Sequence, residues 1–63
     1  MHHIDISIDL FGDVVVSTYR KDGTIISKGH GHVIHNGDVG IAQAASYATK
    51  RMYFNMKGDN QND

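Results

Sequence analysis

The sequence predicts an α+β domain: a three-stranded antiparallel meander followed by one C-terminal helix packed on one face of the sheet (β-β-β-α). Three observations carry this. Ile4, Ile6, Ile8 and Leu10 alternate with Asp5, Ser7 and Asp9, the period of two that marks a strand with one dry and one wet face. Lys21-Asp22-Gly23-Thr24 contains Asp-Gly between two β-rich runs, the strongest short hairpin signal. After Asn36-Gly37-Asp38 the pattern changes to an alanine-rich stretch of helical period.

The first strand is expected over residues 3–10. Phe11-Gly12-Asp13 supplies turn chemistry, with glycine free to take positive φ and aspartate able to bond its own backbone. A second strand follows over 14–20, rich in β-branched residues. A third starts near Thr24 and runs toward His35. Asn36 or Asp38 then caps a helix over 39–56, in which Ala42, Ala44, Ala45 and Ala48 give high propensity. The domain spans 1–57, and the polar run 58–63 reads as a frayed tail.

A three-residue first turn would set Ile8 against Val16 and Leu10 against Val14. The Asp-Gly hairpin would set Val16 against Gly29 and Val14 against Gly31. Residues directly opposite share a face, so Ile4, Ile6, Ile8, Leu10, Val14, Val16, Ile25 and Val33 are expected on the dry side. Gly29 and Gly31 fall in the middle of that side, where missing side chains admit the backbone of a covering helix. Ile41, Ala45, Ala48, Met52 and Met56 form the stripe expected to face it.

Composition narrows the function classes. With 63 residues the chain makes one small domain of marginal stability, and with no cysteine it has neither disulfides nor thiolate metal sites. Lack of cysteine fits a cytoplasmic setting. The net charge of −1 provides no field to draw the chain to nucleic acid. No run approaches the ~20 apolar residues of a membrane span. Met1-His2-His3-Ile4 lacks the basic and apolar segments of a signal peptide.

Gly29-His30-Gly31-His32, with His35 nearby, invites a metal reading. Histidines two apart on a strand share a side, and Asp5, Asp9 or His3 could add a third ligand. Ordinary solvent-facing histidines explain the same spacing. A phosphate loop does not fit, because neither the Walker nor the dinucleotide glycine spacing is met. Ser7, Ser17, Ser27, His30 and His32 with Asp5 or Asp9 are the candidate catalytic groups. A three-stranded sheet with one helix offers little enclosed space for them. The chain is therefore expected to be a non-enzyme without cofactors.

Two apolar surfaces remain. Val15, Tyr19 and Ile26, bordered by Lys28, are expected together on the outer sheet face. Tyr47 and Phe54, with Lys50 and Arg51 between them, lie on the helix away from its core stripe. Aromatics interleaved with basic residues have the composition of interface centres. These eight residues are the predicted partner-binding set, in a protein expected to form a homodimer and to bind another protein.

The β-β-β-α order with an alanine-rich helix resembles, in topology, the half-ribonuclease-H-like domain of HicB-type antitoxins. Their acidic run at the helix start is replaced here by Asp38-Val39-Gly40, so no functional residue carries across. That resemblance implies a nucleic-acid-binding regulator as one alternative; a histidine-metal protein is the other. The format is also similar to small phage or mobile-element proteins that bind and block a host enzyme.

Overall fold

The computed structural model describes residues 3–59, with side chains as far as Met56. Strands β1 (His3–Ile8), β2 (Val14–Tyr19) and β3 (Ile25–Gly31) form one antiparallel sheet in the order β1-β2-β3, and helix α1 (Gly37–Asp59) packs on it. The predicted α+β architecture is the one observed.

The second hairpin has the predicted register: Val16 opposes Gly29 and Val14 opposes Gly31. Gly23, at φ 93°, makes its turn. Asp22 braces that turn by accepting from the Thr24 N–H at 3.0 Å and the Thr24 hydroxyl at 2.7 Å.

The first hairpin differs from expectation. Ile8, not Leu10, opposes Val14, and Ile6, not Ile8, opposes Val16. The cause is Asp9. Its Oδ1 accepts from the N–H groups of Phe11 (2.9 Å) and Asp13 (3.0 Å), pulling residues 9–13 into one turn. Leu10 consequently leaves the sheet and is fully exposed. The register moves by two residues, an even step, so Ile4, Ile6 and Ile8 keep their face.

Two further expectations change. A bulge at Thr18/Tyr19 places Ile25 opposite Tyr19, so Ile25 sits on the outer face rather than in the core. The third strand stops at Gly31 instead of reaching His35. There Asp13 takes over, bonding His32 Nδ1 at 2.9 Å and the Val33 N–H at 3.4 Å. The helix continues through Asp59, so the predicted tail loses Gly58 and Asp59; residues 60–63 lie outside the described part.

The core consists of Val14 and Val16 from β2 and Ala44, Ala48 and Met52 from α1, with Val33, Ala45 and Met56 packed around it. The helix is rotated slightly from the expected stripe: Ala44 replaces Ile41, which is half out of contact with protein. At both β3 glycines the helix backbone lies against the strand. A Cβ on Gly31 would overlap the Ala44 carbonyl, and one on Gly29 would overlap the Ala48 carbonyl and the Met52 nitrogen. Polar groups lock the same seam. Ser27 donates to the Met52 carbonyl at 2.7 Å, Thr18 to the Met52 sulfur at 2.8 Å, and Asn55 to the Lys28 carbonyl at 2.9 Å.

The helix thus lies over β3 and β2. Every residue of β1 is exposed, which corrects the expectation that Ile4, Ile6 and Ile8 lie beneath it. A helix with side chains is about 10–12 Å across, whereas strands are ~4.8 Å apart. One helix seated on β3 runs out of width before β1.

Gly31→Ala is expected to destabilise the domain strongly and lower its melting temperature. Its new methyl must displace helix backbone, an overpacking cost of about 1–3 kcal/mol or more, against a total stability of roughly 3–9 kcal/mol for a chain of this size. Circular dichroism melts should show the loss, while Ser46→Ala on the outer side of the helix leaves the melt unchanged. A second expectation concerns acid. The Thr24 N–H, and then its hydroxyl, hold the Asp22 carboxyl below the usual aspartate range. A lowered folded-state pKa means the hairpin support is complete above that range and fades as pH falls through the lowered value. Carboxyl NMR titration should give Asp22 a midpoint below that of free aspartate, and Thr24→Val should raise it.

Candidate protein-binding surface

Three faces of the molecule carry the side chains singled out in the sequence. The outer sheet face holds Val15, Tyr19, Ile26 and Lys28. Val15 is 8% exposed and Ile26 and Tyr19 are half-buried, so only Lys28 stands clear. Val15 is therefore the floor of this face rather than a contact residue, a correction to its predicted role. The cause is crowding within the sheet: Val15 sits on the central strand between Ser7 and His30. The tyrosine packs instead toward the strand edge, its ring 6.2 Å from that of His3.

The helix ridge is different. Tyr47, Lys50, Arg51 and Phe54 are all exposed, as predicted from their spacing, and Phe54 is 66% exposed. Residues at i, i+3, i+4 and i+7 share one side of a helix. The Arg51 guanidinium carbon stands 5.1 Å from the centre of the Phe54 ring, a cation–π contact that holds two long side chains in one arrangement. The core residues Ala44, Ala48 and Met52 alternate with this ridge along the same turns. Anchoring below therefore fixes the ridge above. A shallow groove, lined by Val39, Ala42, Gln43, Ser46, Tyr47 and Lys50, runs beside it.

The third face is β1, which the sequence assigned to the core. Ile4, Ile6 and Ile8 lie in a row on the helix side of the sheet but beyond the helix. Tyr53, half-exposed, is on the opposite flank of α1 from Tyr47.

The metal candidates do not converge, and among the described residues no hydrogen bond joins a candidate serine to a histidine or an aspartate. Ser27 is buried on the helix side and committed to the Met52 carbonyl. Ser17 is buried on the outer face between Asp5 and Lys28. His30 stays on the exposed outer face, while His32 lies past the end of β3 and pairs with Asp13, not with Asp5, Asp9 or His3. Among the described residues no three histidine or acidic side chains are placed to hold a metal ion. Among them too, no helix is long and apolar enough to cross a membrane.

Comparison with known proteins adds nothing to this geometry: no family model, no curated protein and no solved structure matches the chain.

With the histidines dispersed, zinc and chelator should both leave the melting temperature unchanged. A ligand that bound only the folded chain would raise it, so a zinc-dependent rise reversed by chelator would restore the metal reading.

Proposed function

We propose that this chain is a small non-enzymatic protein that acts by binding another protein through the Tyr47–Lys50–Arg51–Phe54 ridge. The inhibitor or accessory type made by phages and mobile elements is the concrete form. The carrying observation is the exposed Phe54 ring with Arg51 stacked over it, one helical turn from Lys50 and two from Tyr47. Aromatic rings supply large contact area at small entropic cost, and a pre-oriented guanidinium directs hydrogen bonds. Both are mounted on the one helix, whose opposite side is locked to the sheet.

Catalysis has less support. Asp5, Ser17 and His30 share the outer sheet face but no hydrogen bond links them among the described residues, that face is open, and the groove beside the ridge is shallow. Nucleic acid is the competing partner for a basic-aromatic ridge, since bases stack on rings and phosphates meet cations. The net charge of −1 weighs against it.

Tyr47→Ala with Phe54→Ala tests this reading. Both side chains are exposed, so the fold and melting temperature should stay as they are. Truncating a hot-spot aromatic costs about 2 kcal/mol or more, which weakens binding roughly 1000-fold for the pair. Photo-crosslinking from position 50 in a cell extract should trap a defined protein with the parent chain and lose it with the double variant. Trapping of the same protein by both forms would count against the ridge. Loss of the trapped species on nuclease treatment, with steep weakening by salt, would move the assignment to nucleic acid.

A further inference from the structure

Strand β1 presents an open hydrogen-bonding edge as well as a bare apolar face. Across the first turn the Asp9 N–H donates to the Asp13 carbonyl at 2.9 Å. Bonding alternates along an antiparallel ladder. From the pairing of His3 with Tyr19, Asp5 with Ser17 and Ser7 with Val15, the odd-numbered residues direct their N–H and C=O groups to β2. The even-numbered residues, Ile4, Ile6 and Ile8, direct theirs away from the sheet. Among the described residues their outward main-chain groups have no partner, and about half of each side chain is left exposed beside β2.

Apart from the Asp5 carboxylate, the edge lacks the features that normally blunt one. Within β1 there is no lysine, no proline and no bulge. The opposite edge is treated otherwise: Lys28 stands on β3, and its carbonyl is taken by Asn55.

We infer that β1 pairs antiparallel with β1 of a second copy of this chain about a two-fold axis at Ile6. The hydrogen bonds and the charges select this register. Only isoleucines offer outward main-chain groups, so isoleucine must oppose isoleucine. This keeps both helices on the same side of a continuous six-stranded sheet. Of the registers that obey this rule, centring on Ile4 or on Ile8 leaves a single isoleucine pair within β1, and centring on Asp5 sets the two Asp5 carboxylates against each other. Centring on Ser7 sets Asp5 against Asp9 of the other copy twice. Like charges directly opposite destabilise a sheet. Centring on Ile6 sets Asp5 against Ser7 of the other copy, a carboxylate against a hydroxyl donor, and His3 against Asp9. On the other face it sets Ile6 against itself and Ile4 against Ile8. The pairing is self-complementary in the way a closed two-fold contact requires.

This inference is independent of the helix ridge, which points away from β1 and stays free in the paired form. It is tested with cysteine variants of a chain that has no cysteine of its own. Hydrogen-bonded antiparallel partners have Cα atoms ~5.5 Å apart, within disulfide range. Under mild oxidation Ile6→Cys should link to itself. Ile4→Cys should not, because its two copies stand about 14 Å apart along the strands at ~3.4 Å per residue. A mixture of Ile4→Cys and Ile8→Cys should link to each other. Sedimentation of the parent chain should give twice the chain mass at high concentration, declining on dilution. Ile6→Lys, at a position 61% exposed, should weaken association roughly 100-fold or more while leaving the circular dichroism spectrum unchanged. A parent chain that stays monomeric at all concentrations would overturn the inference. So would Ile4→Cys linking to itself as readily as Ile6→Cys, assemblies growing beyond two copies, or association abolished by Tyr47→Ala with Phe54→Ala.

Discussion

The structure depends on a backbone-to-backbone contact. Gly29 and Gly31 have no side chains to hold α1 off the sheet, and the helix settles until its own carbonyls at Ala44 and Ala48 meet the strand. At that distance Ser27, Thr18 and Asn55 all reach helix or strand partners. The alanines matter for the same reason, since anything larger at positions 44 and 48 would lift the helix. Bulk comes from elsewhere: Val14 and Val16 rise beside the helix and Met52 fills the remaining space. Its unbranched thioether suits an irregular gap and also accepts the Thr18 hydroxyl. A short chain gains a dense core in this way from few large side chains, since close contact recovers the dispersion energy that a looser fit would forfeit.

The same contact decides which surfaces stay open. Glycines on β3, not on β2, draw the helix toward one edge of the sheet. The near edge is then closed over by the helix and by Asn55, and the far edge is left without cover. On the helix, close seating consumes one stripe and presents the opposite one. The ridge at Tyr47, Arg51 and Phe54 and the isoleucine row on β1 are therefore consequences of one packing choice, and they face different directions. A molecule with two such surfaces can associate with itself by one and keep the other for a different protein.

Much of this is legible in the residues. Asp22-Gly23 locates the second turn, which pairs Arg20 with Thr24, and the bulge at Thr18/Tyr19 then adds the residue that brings Gly29 and Gly31 opposite Val16 and Val14, beneath the helix. Helical spacing alone places Tyr47 and Phe54 outside. The first turn is harder, because Asp9 reads as a wet-face strand residue while its carboxylate captures two backbone N–H groups ahead of it. Competition between a short polar side chain and the ladder is local and leaves no mark on hydrophobic periodicity. The bulge that displaces Ile25 is similarly silent. The exposure of β1 is a different matter: its signal is present. Alternating isoleucines show which side of the sheet they occupy, but the covering element has a finite width, and the glycines on the far strand show where it must sit. Periodicity assigns a face; it does not show that anything reaches that face.

An uncovered isoleucine row also bears on stability. A chain of this length buries only about 60% of the surface its unfolded form exposes, and here part of the apolar capital of the sequence lies outside the core. Ile4, Ile6 and Ile8 contribute cross-strand contacts to Val14, Val16 and Thr18, but each keeps about half its surface in water. Pairing of two β1 strands would satisfy their outward backbone groups and shield the adjoining sides of these side chains. Anything that binds the folded chain and not the unfolded one adds to stability by mass action, so the folding and the self-association of so small a domain are linked. Substituting the isoleucines with polar residues would quiet the edge and remove that reserve at the same time. Their place on an open edge is coherent when the edge is an interface, which would cover the half of each side chain that β2 leaves in water.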